Sequence, residues 1–347
     1  MNDEAHKALE LETLKNIISA DIPEEDPVDL SESLSISETR DWEMQVGHHG
    51  MRLDRALALI IPEFSRSYLQ QLIARGCVAS QGVAWTKPSM TVKLGQKGTV
   101  ELLPTPMSQA FVPQAMDLDV VFEDAHLMVI NKPAGLVVHP APGNWSGTLL
   151  NALLARDPRA ADLPRAGIVH RLDKDTSGLM VVARSRAAMD TLSTMISVHD
   201  VRRQYLAIAH RSWAGRRVRE VEASVGRDPK NRLRMAVVDL QRQPGKTAKT
   251  TLECLESTSD VCLMQCSLHT GRTHQIRVHM SSIGHPLVGD ELYGGQAMAG
   301  MHRQALHAFR LAFAHPVSHE SLQFHSKAPQ DFVLAMAQLG LGYNDFD

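Results

Sequence analysis

The sequence predicts an α+β protein whose larger domain contains a mixed, mostly antiparallel sheet. Short apolar segments typical of strands dominate the second part of the chain: VVFEDAHLMVI, IVHRLD, GLMVVAR, QYLAIAH, TTLECLE and CLMQCSL. Helical patterns are fewer, for example TLLNALLAR and AAMDTLSTMISVH. Because the strands do not alternate regularly with helices, a doubly wound parallel sheet is not expected.

Composition indicates a globular protein of the cytoplasm. The chain has 347 residues, of which 44% are hydrophobic, enough for a large core and a second, smaller domain. It has no apolar run of the ~18 residues that a membrane-spanning helix needs, and the acidic N-terminus lacks the apolar core of a signal peptide. The four cysteines follow neither a metal-site nor a disulfide spacing.

Charge is distributed unevenly along the chain. Residues 1–43 carry 13 acidic and 3 basic side chains, so the remaining residues are net positive although the whole chain has a charge of −3. We expect residues 1–43 to form a largely disordered acidic leader. A basic body favours a polyanionic partner, because Lys and Arg displace counterions from phosphates.

Residues 44–103 are predicted to form a small domain with two helices followed by short strands. Ser65 is placed to cap the second helix and Gly76 to end it. Arg52, Arg55 and Arg66 lie along the two helices, and composition alone favours an ordinary helical pair with solvated arginines. The segment RLDRALALIIPEFSRSYLQQLIARGCV, however, resembles the RNA-binding domain named after ribosomal protein S-four, and this resemblance implies RNA contacts by these arginines. The proline-containing residues 104–117 are predicted to be a linker, and residues 118–347 the larger domain.

The charged segment HRLDKDTSG, residues 170–178, lies between two apolar segments. Asp173 and Asp175 are two residues apart and would face the same way in an extended chain, as a pair of acid–base carboxylates could. The same residues also suit a polar turn, which the spacing alone favours. Asp175 is then expected to bond backbone N–H groups of the turn. Asp173, beside apolar Leu172, is expected to point inward.

A second segment, CSLHTGRTHQIRVHMSSIG, predicts a strand, a turn, and a helix that Thr273 caps and Gly284 ends. Arg277 lies next to the apolar stripe of this helix and would need a carboxylate partner if it is buried. His274 and His279 are five residues apart, which does not place them on one helical face for a zinc site.

Together these segments resemble the RluA family of pseudouridine synthases. The family pattern H-R-L-D-x-x-T-S-G-L is matched from His170 to Leu179, and G-R-x-H-Q-I-R-x-H from Gly271 to His279. A third pattern, basic-x-Y-x-A, is matched from Arg203 to Ala207. The resemblance covers roughly residues 44–335 and implies the pseudouridine synthase fold for residues 118–347.

The resemblance implies an isomerase that breaks the C1′–N1 bond of a uridine, turns the uracil and rejoins it through C5. The catalytic residues would be Asp173, Arg277 as its bidentate ion-pair partner, and Tyr205, which would stack on the uracil. Arg171 would enter the gap left by the flipped nucleotide. Arg272 is placed for a phosphate contact, and His170 for loop structure with a phosphate contact.

The implied chemistry needs no redox change, and the chain shows neither a nucleotide-binding glycine loop nor a metal cluster, so we expect no cofactor. The expected partner is large-subunit ribosomal RNA, with helix 69 as its target, free or within a precursor particle, and the protein is expected to be a monomer without membrane association. The alternatives are a transfer-RNA-specific synthase of the same family, a catalytically silent RNA-binding or ribosome assembly factor, and a glycoside hydrolase using Asp173 and Asp175.

Overall fold

The computed structural model describes residues 38–103, 110–141, 143–231 and 233–342. These residues form two compact units, which divide between Ala110 and Phe111. Most of the predicted leader and residues 104–109 of the predicted linker lie outside the described residues. Residues 110–117 contain neither a helix nor a strand.

The N-terminal unit packs two helices against a four-stranded sheet. Its elements are β1 (Glu38–Glu43), α1 (Leu53–Ile60), α2 (Arg66–Ala74), β2 (Val78–Ser80), β3 (Val83–Ala84) and β4 (Lys97–Leu102). The strand order is β1-β4-β2-β3, and the neighbours are antiparallel. As predicted, the Ser65 side chain accepts a hydrogen bond from the Tyr68 N–H at 3.3 Å, and Gly76 has a φ of +78° just after the helix.

The predicted end of the disordered leader at residue 43 is wrong, because the last six residues of that segment form strand β1. Residues Glu38–Glu43 pair with β4 along their whole length instead of belonging to a disordered segment. The reason is the alternation of the strand: Trp42 turns toward the core and is only 3% exposed, while its acidic neighbours Asp41 and Glu43 stay exposed. A period-two pattern with a single buried residue is easily hidden by the charge of the segment.

The second unit is built on a nine-stranded sheet, counted over the described residues. Its strands follow the order β5-β6-β7-β14-β8-β13-β12-β9, with β15 paired to β14. The strands of the sheet are β5 (Val120–Glu123), β6 (Leu127–Lys132), β7 (Ser177–Ala183), β8 (Arg202–His210), β9 (Val218–Glu222), β12 (Lys249–Ser257), β13 (Val261–Leu268), β14 (Leu306–Ala314) and β15 (Ser321–His325). A separate hairpin pairs β10 (Val225–Arg227) with β11 (Met235–Val237).

Within the described part of this unit, four helices accompany the sheet: α3 (Leu149–Arg156), α4 (Arg186–Ser197), α5 (Gln275–Ser282) and α6 (Gln330–Gln338). Apolar residues of α3 and α5 share one core cluster, whereas those of α4 and α6 belong to two others. The longest helix in the described ranges has 12 residues, and none of them could cross a membrane.

The sheet opens between β7 and β14. All its other pairings are antiparallel, which confirms the predicted α+β class, but β7 and β14 run parallel and pair only at Ser177–His307 and Gly178–Ala308. Gly178 has a φ of +114°, and a Cβ there would lie 2.2 Å from the Ala308 carbonyl oxygen, so only glycine permits this close approach.

The segment IVHRLD, predicted as a strand, is not one. Only Ile168 pairs, through an isolated bridge to Val182, and the chain then leaves the sheet as an irregular loop that returns at β7. Apolar residues on both sides of the polar residues suggested a strand, yet Leu172 is buried as a loop residue, 4% exposed. This loop carries Asp173.

Histidines that are fully or partly buried make the stability of this unit sensitive to acid. Burial lowers the pKa of His139 to about 4, that of His170 to about 3 and that of His307 to about 4, from an ordinary 6.5. Between pH 6.5 and 4 the unfolded chain therefore binds protons that the folded chain does not. The free energy of unfolding must then fall as the pH falls through this window.

We predict that His139→Leu reduces this loss by about 1–2 kcal/mol, because one of the titrating groups is gone. The measurement is chemical unfolding of both proteins at a series of pH values between 7 and 4.5. His302→Leu is the matched control, since it removes a histidine that is exposed on the surface. Equal slopes for wild type and His139→Leu would contradict the prediction.

Candidate active site

Asp173 lies in the loop that leads into β7. The Thr176 N–H donates to the Asp173 carbonyl at 3.1 Å, which closes a tight turn. Leu172, one residue earlier, is buried in the core cluster, and the Asp173 side chain is 16% exposed. The buried leucine fixes the loop, and the carboxylate is left facing a cleft that solvent still reaches.

The Asp173 carboxylate is paired with Arg277 of α5. Arg277 Nη1 donates to Asp173 Oδ2 at 3.1 Å. The same guanidinium donates through Nε and Nη2 to both oxygens of Asp290, at 2.7 and 2.8 Å. The bidentate partner of Arg277 is therefore Asp290 and not Asp173, which corrects the prediction.

This Asp–Arg–Asp cluster is buried. The Arg277 side chain is 7% exposed and that of Asp290 1%, and the Tyr293 ring lies 4.8 Å from the Arg277 Cζ. Burial opposes the charge of Arg277, but the hydrogen bonds and charges of the two carboxylates raise its pKa above the ordinary value. Arg277 is thus a fixed cation in the site, held by Asp290 and donating one bond to Asp173.

Sequence reasoning missed Asp290, which follows His279, the end of the second motif, by eleven residues. It lies in HPLVGDELYGG, after α5, where nothing in the periodicity marks it as a partner. The available signal was the expectation that a buried Arg277 needs a carboxylate, which left Asp290 as one of the nearby acids to test.

His274 faces the other Asp173 oxygen. Its Nε2 lies 3.8 Å from Asp173 Oδ1. The Met235 N–H donates to the Tyr293 hydroxyl at 2.9 Å, and this hydroxyl lies 2.7 Å from His274 Nδ1. Because the hydroxyl already accepts from a backbone N–H, it can donate its proton to Nδ1, which leaves the proton of a neutral His274 on Nε2, toward Asp173.

The start of α5 also differs from the prediction. The helix runs over Gln275–Ser282, its N-cap residue is His274, and Thr273 does not cap it. His274 has a φ of +56°, an unusual conformation for a residue with a side chain. No side chain caps the first turn of this helix; Gln275, its first residue, instead accepts at its side-chain oxygen from the N–H of Arg272 in the preceding loop, at 3.0 Å. The strained residue is thus one whose side chain faces Asp173.

Tyr205 lies on β8 beside this cluster. It is 5% exposed and pairs with Cys266 of β13 and Ala308 of β14. Burial raises its pKa to about 12, and the Asp173 charge contributes in the same direction, so the ring and the carboxylate are within electrostatic reach. The structure therefore brings Asp173, Tyr205 and Arg277 together.

Three side chains outside the Asp173 loop donate hydrogen bonds to it. Lys132 Nζ donates to the carbonyls of Lys174, Pro133 and Leu136 at 2.8–2.9 Å. Arg303 Nη1 donates to the Asp175 carbonyl at 2.9 Å, and Gln304 Nε2 donates to the Thr176 hydroxyl at 3.3 Å. The sequence singled out Lys132 only as a strand-end residue and did not single out Arg303 or Gln304.

The remaining predicted residues of this unit occupy different positions. Arg171 is exposed, next to the loop, and Arg272 is half-buried with its Nε donating to the Thr247 carbonyl at 3.0 Å. His170 turns inward, and its Nε2 accepts from the Val181 N–H at 3.0 Å. That contact supports its assignment to loop structure, because it ties the loop to β7 where the sheet opens.

Asp175 does not pair with Asp173 across a cleft. It is half-buried, and its charge acts on Lys132. His279, the second histidine of the segment, is enclosed, with Nδ1 2.9 Å from the Thr250 hydroxyl and Nε2 2.9 Å from the Ala223 carbonyl. No group of metal-ligating side chains occurs within the described ranges.

In the N-terminal unit, the predicted RNA-binding arginines surround a buried aspartate. Arg52 and Arg66 both donate to Asp54, which is 0% exposed, at 2.9–3.2 Å. Hydrogen bonds from Arg52 and then from Gln70 and Arg66 hold the pKa of this carboxyl well below its usual range, against the effect of burial. About half of each arginine side chain stays exposed, and Arg55 is exposed as well.

We predict that Asp290→Asn lowers the free energy of unfolding by about 3 kcal/mol, because it leaves a buried guanidinium without its bidentate carboxylate. Thermal and chemical unfolding measure the effect. Asp190→Asn is the control, since the Arg186–Asp190 pair is 67% and 62% exposed and should contribute about 0.5 kcal/mol or less. Similar losses in the two variants would show that the buried pair is not special.

Comparisons with known proteins identify the family of the chain. Residues 126–282 match the family model of RNA pseudouridylate synthase. The chain is 45% identical over 305 residues to ribosomal large subunit pseudouridine synthase D of Neisseria meningitidis, covering 84% of this chain and 79% of that protein. It is 46% identical over 301 residues to the protein of that name from Nitrosomonas europaea, covering 82% and 83%.

A solved structure shares the fold. Human RNA pseudouridylate synthase domain containing 4 superposes with a TM-score of 0.51 at 23% identity, covering 65% of this chain and 94% of that one. With the identity to the bacterial proteins, the family resemblance seen in the motifs is confirmed. The chain belongs to the RNA pseudouridylate synthase family.

Proposed function

We propose that this protein converts specific uridines of large-subunit ribosomal RNA to pseudouridine, with Asp173 as the catalytic residue. The observation that carries the proposal is the half-buried Asp173 carboxylate, paired at 3.1 Å with a buried Arg277 and lying near the Tyr205 ring. The relatives at 45–46% identity that are named for the large ribosomal subunit support the choice of substrate. Helix 69 is the proposed target.

The arrangement suits a reaction that needs one ionised carboxylate. Arg277 binds Oδ2, whereas His274 Nε2 lies 3.8 Å from Oδ1, too far for a hydrogen bond, so that Oδ1 stays available to the reacting ribose or base. A carboxylate held this way can act as a nucleophile or as the base that removes a ribose proton. Because Asp290 fixes Arg277, the reactive oxygen keeps its position while the glycosidic bond breaks and reforms.

Tyr205 and Arg171 have separate roles in base flipping. A uridine in folded RNA must leave its stack to reach Asp173, at a cost of a few kcal/mol. The buried Tyr205 ring offers a face on which the freed uracil can stack while it turns. Arg171 is exposed two residues before Asp173, where a planar guanidinium can fill the gap left in the RNA.

The first test maps pseudouridine in ribosomal and transfer RNA from cells that lack the protein. Sites lost in the deletion are expected to return with the wild-type gene and not with Asp173→Asn. Asp175→Asn, a change of the same kind in the same loop, is the matched control and should restore them. Restoration by Asp173→Asn would remove Asp173 as the catalyst.

The same map separates the alternatives. Lost sites in helix 69 support the proposed target, whereas lost sites confined to transfer RNA would identify a transfer-RNA-specific synthase. If no site disappears and no other enzyme modifies the same uridines, the protein is an RNA-binding or assembly factor. If the lost sites lie elsewhere in the large-subunit RNA, the proposed activity stands and only the proposed target, helix 69, is wrong.

For Arg171 we predict an effect that depends on RNA structure. Arg171→Ala should reduce kcat/KM by about tenfold on a stable stem-loop, because nothing fills the gap left by the flipped nucleotide. On an unstructured oligonucleotide the loss should be within about threefold, since little stacking is broken. Steady-state kinetics on both RNAs provide the measurement, and an equal loss on both would contradict the role.

A further inference from the structure

Arg203 is a buried arginine without a counterion. It lies on β8, two residues before Tyr205 and on the same face of the strand, and it is 6% exposed. Across the described ranges of the chain, no carboxylate forms an ion pair with it, in contrast to Arg277 with its two. Its Nε–H is buried and has no hydrogen-bond partner.

A second buried donor without a partner lies near it. The described residues include three buried side-chain nitrogens that make no hydrogen bond: Arg203 Nε, His170 Nδ1 and Trp42 Nε1. The last is in the N-terminal unit. Because His170 Nε2 accepts from the Val181 N–H, the proton of the neutral ring is on Nδ1, which is therefore a donor. The Arg203 charge helps lower the pKa of His170, so the two groups are within electrostatic reach.

The surroundings of Arg203 are cationic, and its guanidinium lies just below an exposed loop. A Cβ on Gly271 would lie 2.7 Å from Arg203 Nη1, so the guanidinium lies directly beneath the backbone of this exposed glycine. Burial, together with the charge of neighbouring Arg272, lowers the pKa of Arg203. The loop that covers Arg203 is therefore the one that carries Arg272, and it contributes a second positive charge.

A buried cation of this kind costs stability unless something compensates it. Removing a guanidinium from water without a carboxylate or carbonyl partner is unfavourable, and an apolar side chain of similar size would be better for folding alone. Donors without acceptors, beside a second cation and next to Tyr205, are the complement of an anion. The anion that accompanies every target uridine is the phosphate of its own backbone.

We propose that Arg203, assisted by Arg272, binds a backbone phosphate flanking the target nucleotide. This inference rests on the proposed function, because it requires an RNA substrate in the Tyr205–Asp173 cleft. Arg203 and Arg277 then act at two ends of one nucleotide: Arg277 supports the carboxylate at the reacting carbon, and Arg203 holds the phosphate beyond the Tyr205 ring. A side chain at position 271 would crowd the guanidinium, because a Cβ there would lie 2.7 Å from Arg203 Nη1.

The first experiment separates binding from folding. Arg203→Met should raise KM for a stem-loop substrate by about 10- to 100-fold with little change in kcat, the loss expected for a charge-assisted contact to phosphate. Its melting temperature should equal or exceed that of wild type, since an uncompensated buried charge is gone. Arg202→Met is the matched control, because Arg202 is exposed on the opposite face of the same strand and should leave KM unchanged.

The second experiment identifies the phosphate. Neutral methylphosphonate linkages are placed one at a time around the target, each on a 2′-O-methyl ribose and compared with the same RNA carrying a phosphodiester. For wild type, a neutral linkage at one position flanking the target should raise the dissociation constant of the RNA by about tenfold or more. For Arg203→Met the same linkage should have little further effect, because the contact it removes is already lost.

The outcomes separate the inference from the proposed function. A lower melting temperature for Arg203→Met with unchanged KM would make Arg203 structural, and additive effects of the variant and the linkage would show that it does not touch that phosphate. Thermal stabilisation by inorganic phosphate without any linkage effect would assign the site to a free anion. If wild type forms no pseudouridine on any ribosomal or transfer RNA, the proposed function fails, whatever the linkage series shows.

Discussion

The buried ion pair between Arg277 and Asp290 is the constraint on which the site depends. Two parallel hydrogen bonds of 2.7 and 2.8 Å fix the guanidinium plane, so that the one remaining Nη1 points at Asp173. If Arg277 had Asp173 as its bidentate partner, both oxygens of the reactive carboxylate would be occupied. The second aspartate takes that role, and Asp173 keeps one oxygen for the substrate.

The Asp173 loop lies where two neighbouring strands of the sheet separate. β7 and β14 pair at only two positions, and the Asp173 loop enters at the point where they separate. Loops have more freedom than strands, yet this one is held through its own backbone by Lys132 and Arg303. Lys132 has its pKa lowered to about 8 by burial, so it remains a cation at neutral pH and keeps all three of its carbonyl contacts. Rigid support of this kind lets a loop residue carry precise chemistry.

Much of the fold and part of the site could be predicted from the sequence. Helix caps such as Ser65 depend on local chemistry, and the α+β class follows from the lengths and order of apolar segments. The ordered motifs predicted that Asp173, Tyr205 and Arg277 belong to one site, and in the structure Arg277 contacts Asp173. What could not be predicted depends on contacts between distant residues: Asp290 as the bidentate partner, Arg303 on the Asp175 carbonyl, and strand β1 inside an acidic segment. Single-sequence periodicity contains no information on such pairings.

The distribution of charge around Tyr205 explains why two buried arginines can have opposite surroundings. Arg277 shares two aspartates, so that cluster has a net charge of −1 and offers a carboxylate to the sugar. No carboxylate of the described residues forms an ion pair with Arg203, and the Arg272 charge acts on it, so the surroundings of Arg203 are positive. A nucleotide also has two different ends: its negative charge is on the backbone phosphate, and the reacting C1′ carbon lies away from that phosphate. Such a substrate would be drawn in by the positive end and turned toward Asp173 by repulsion between its phosphate and the carboxylates, which gives orientation before any base-specific contact forms.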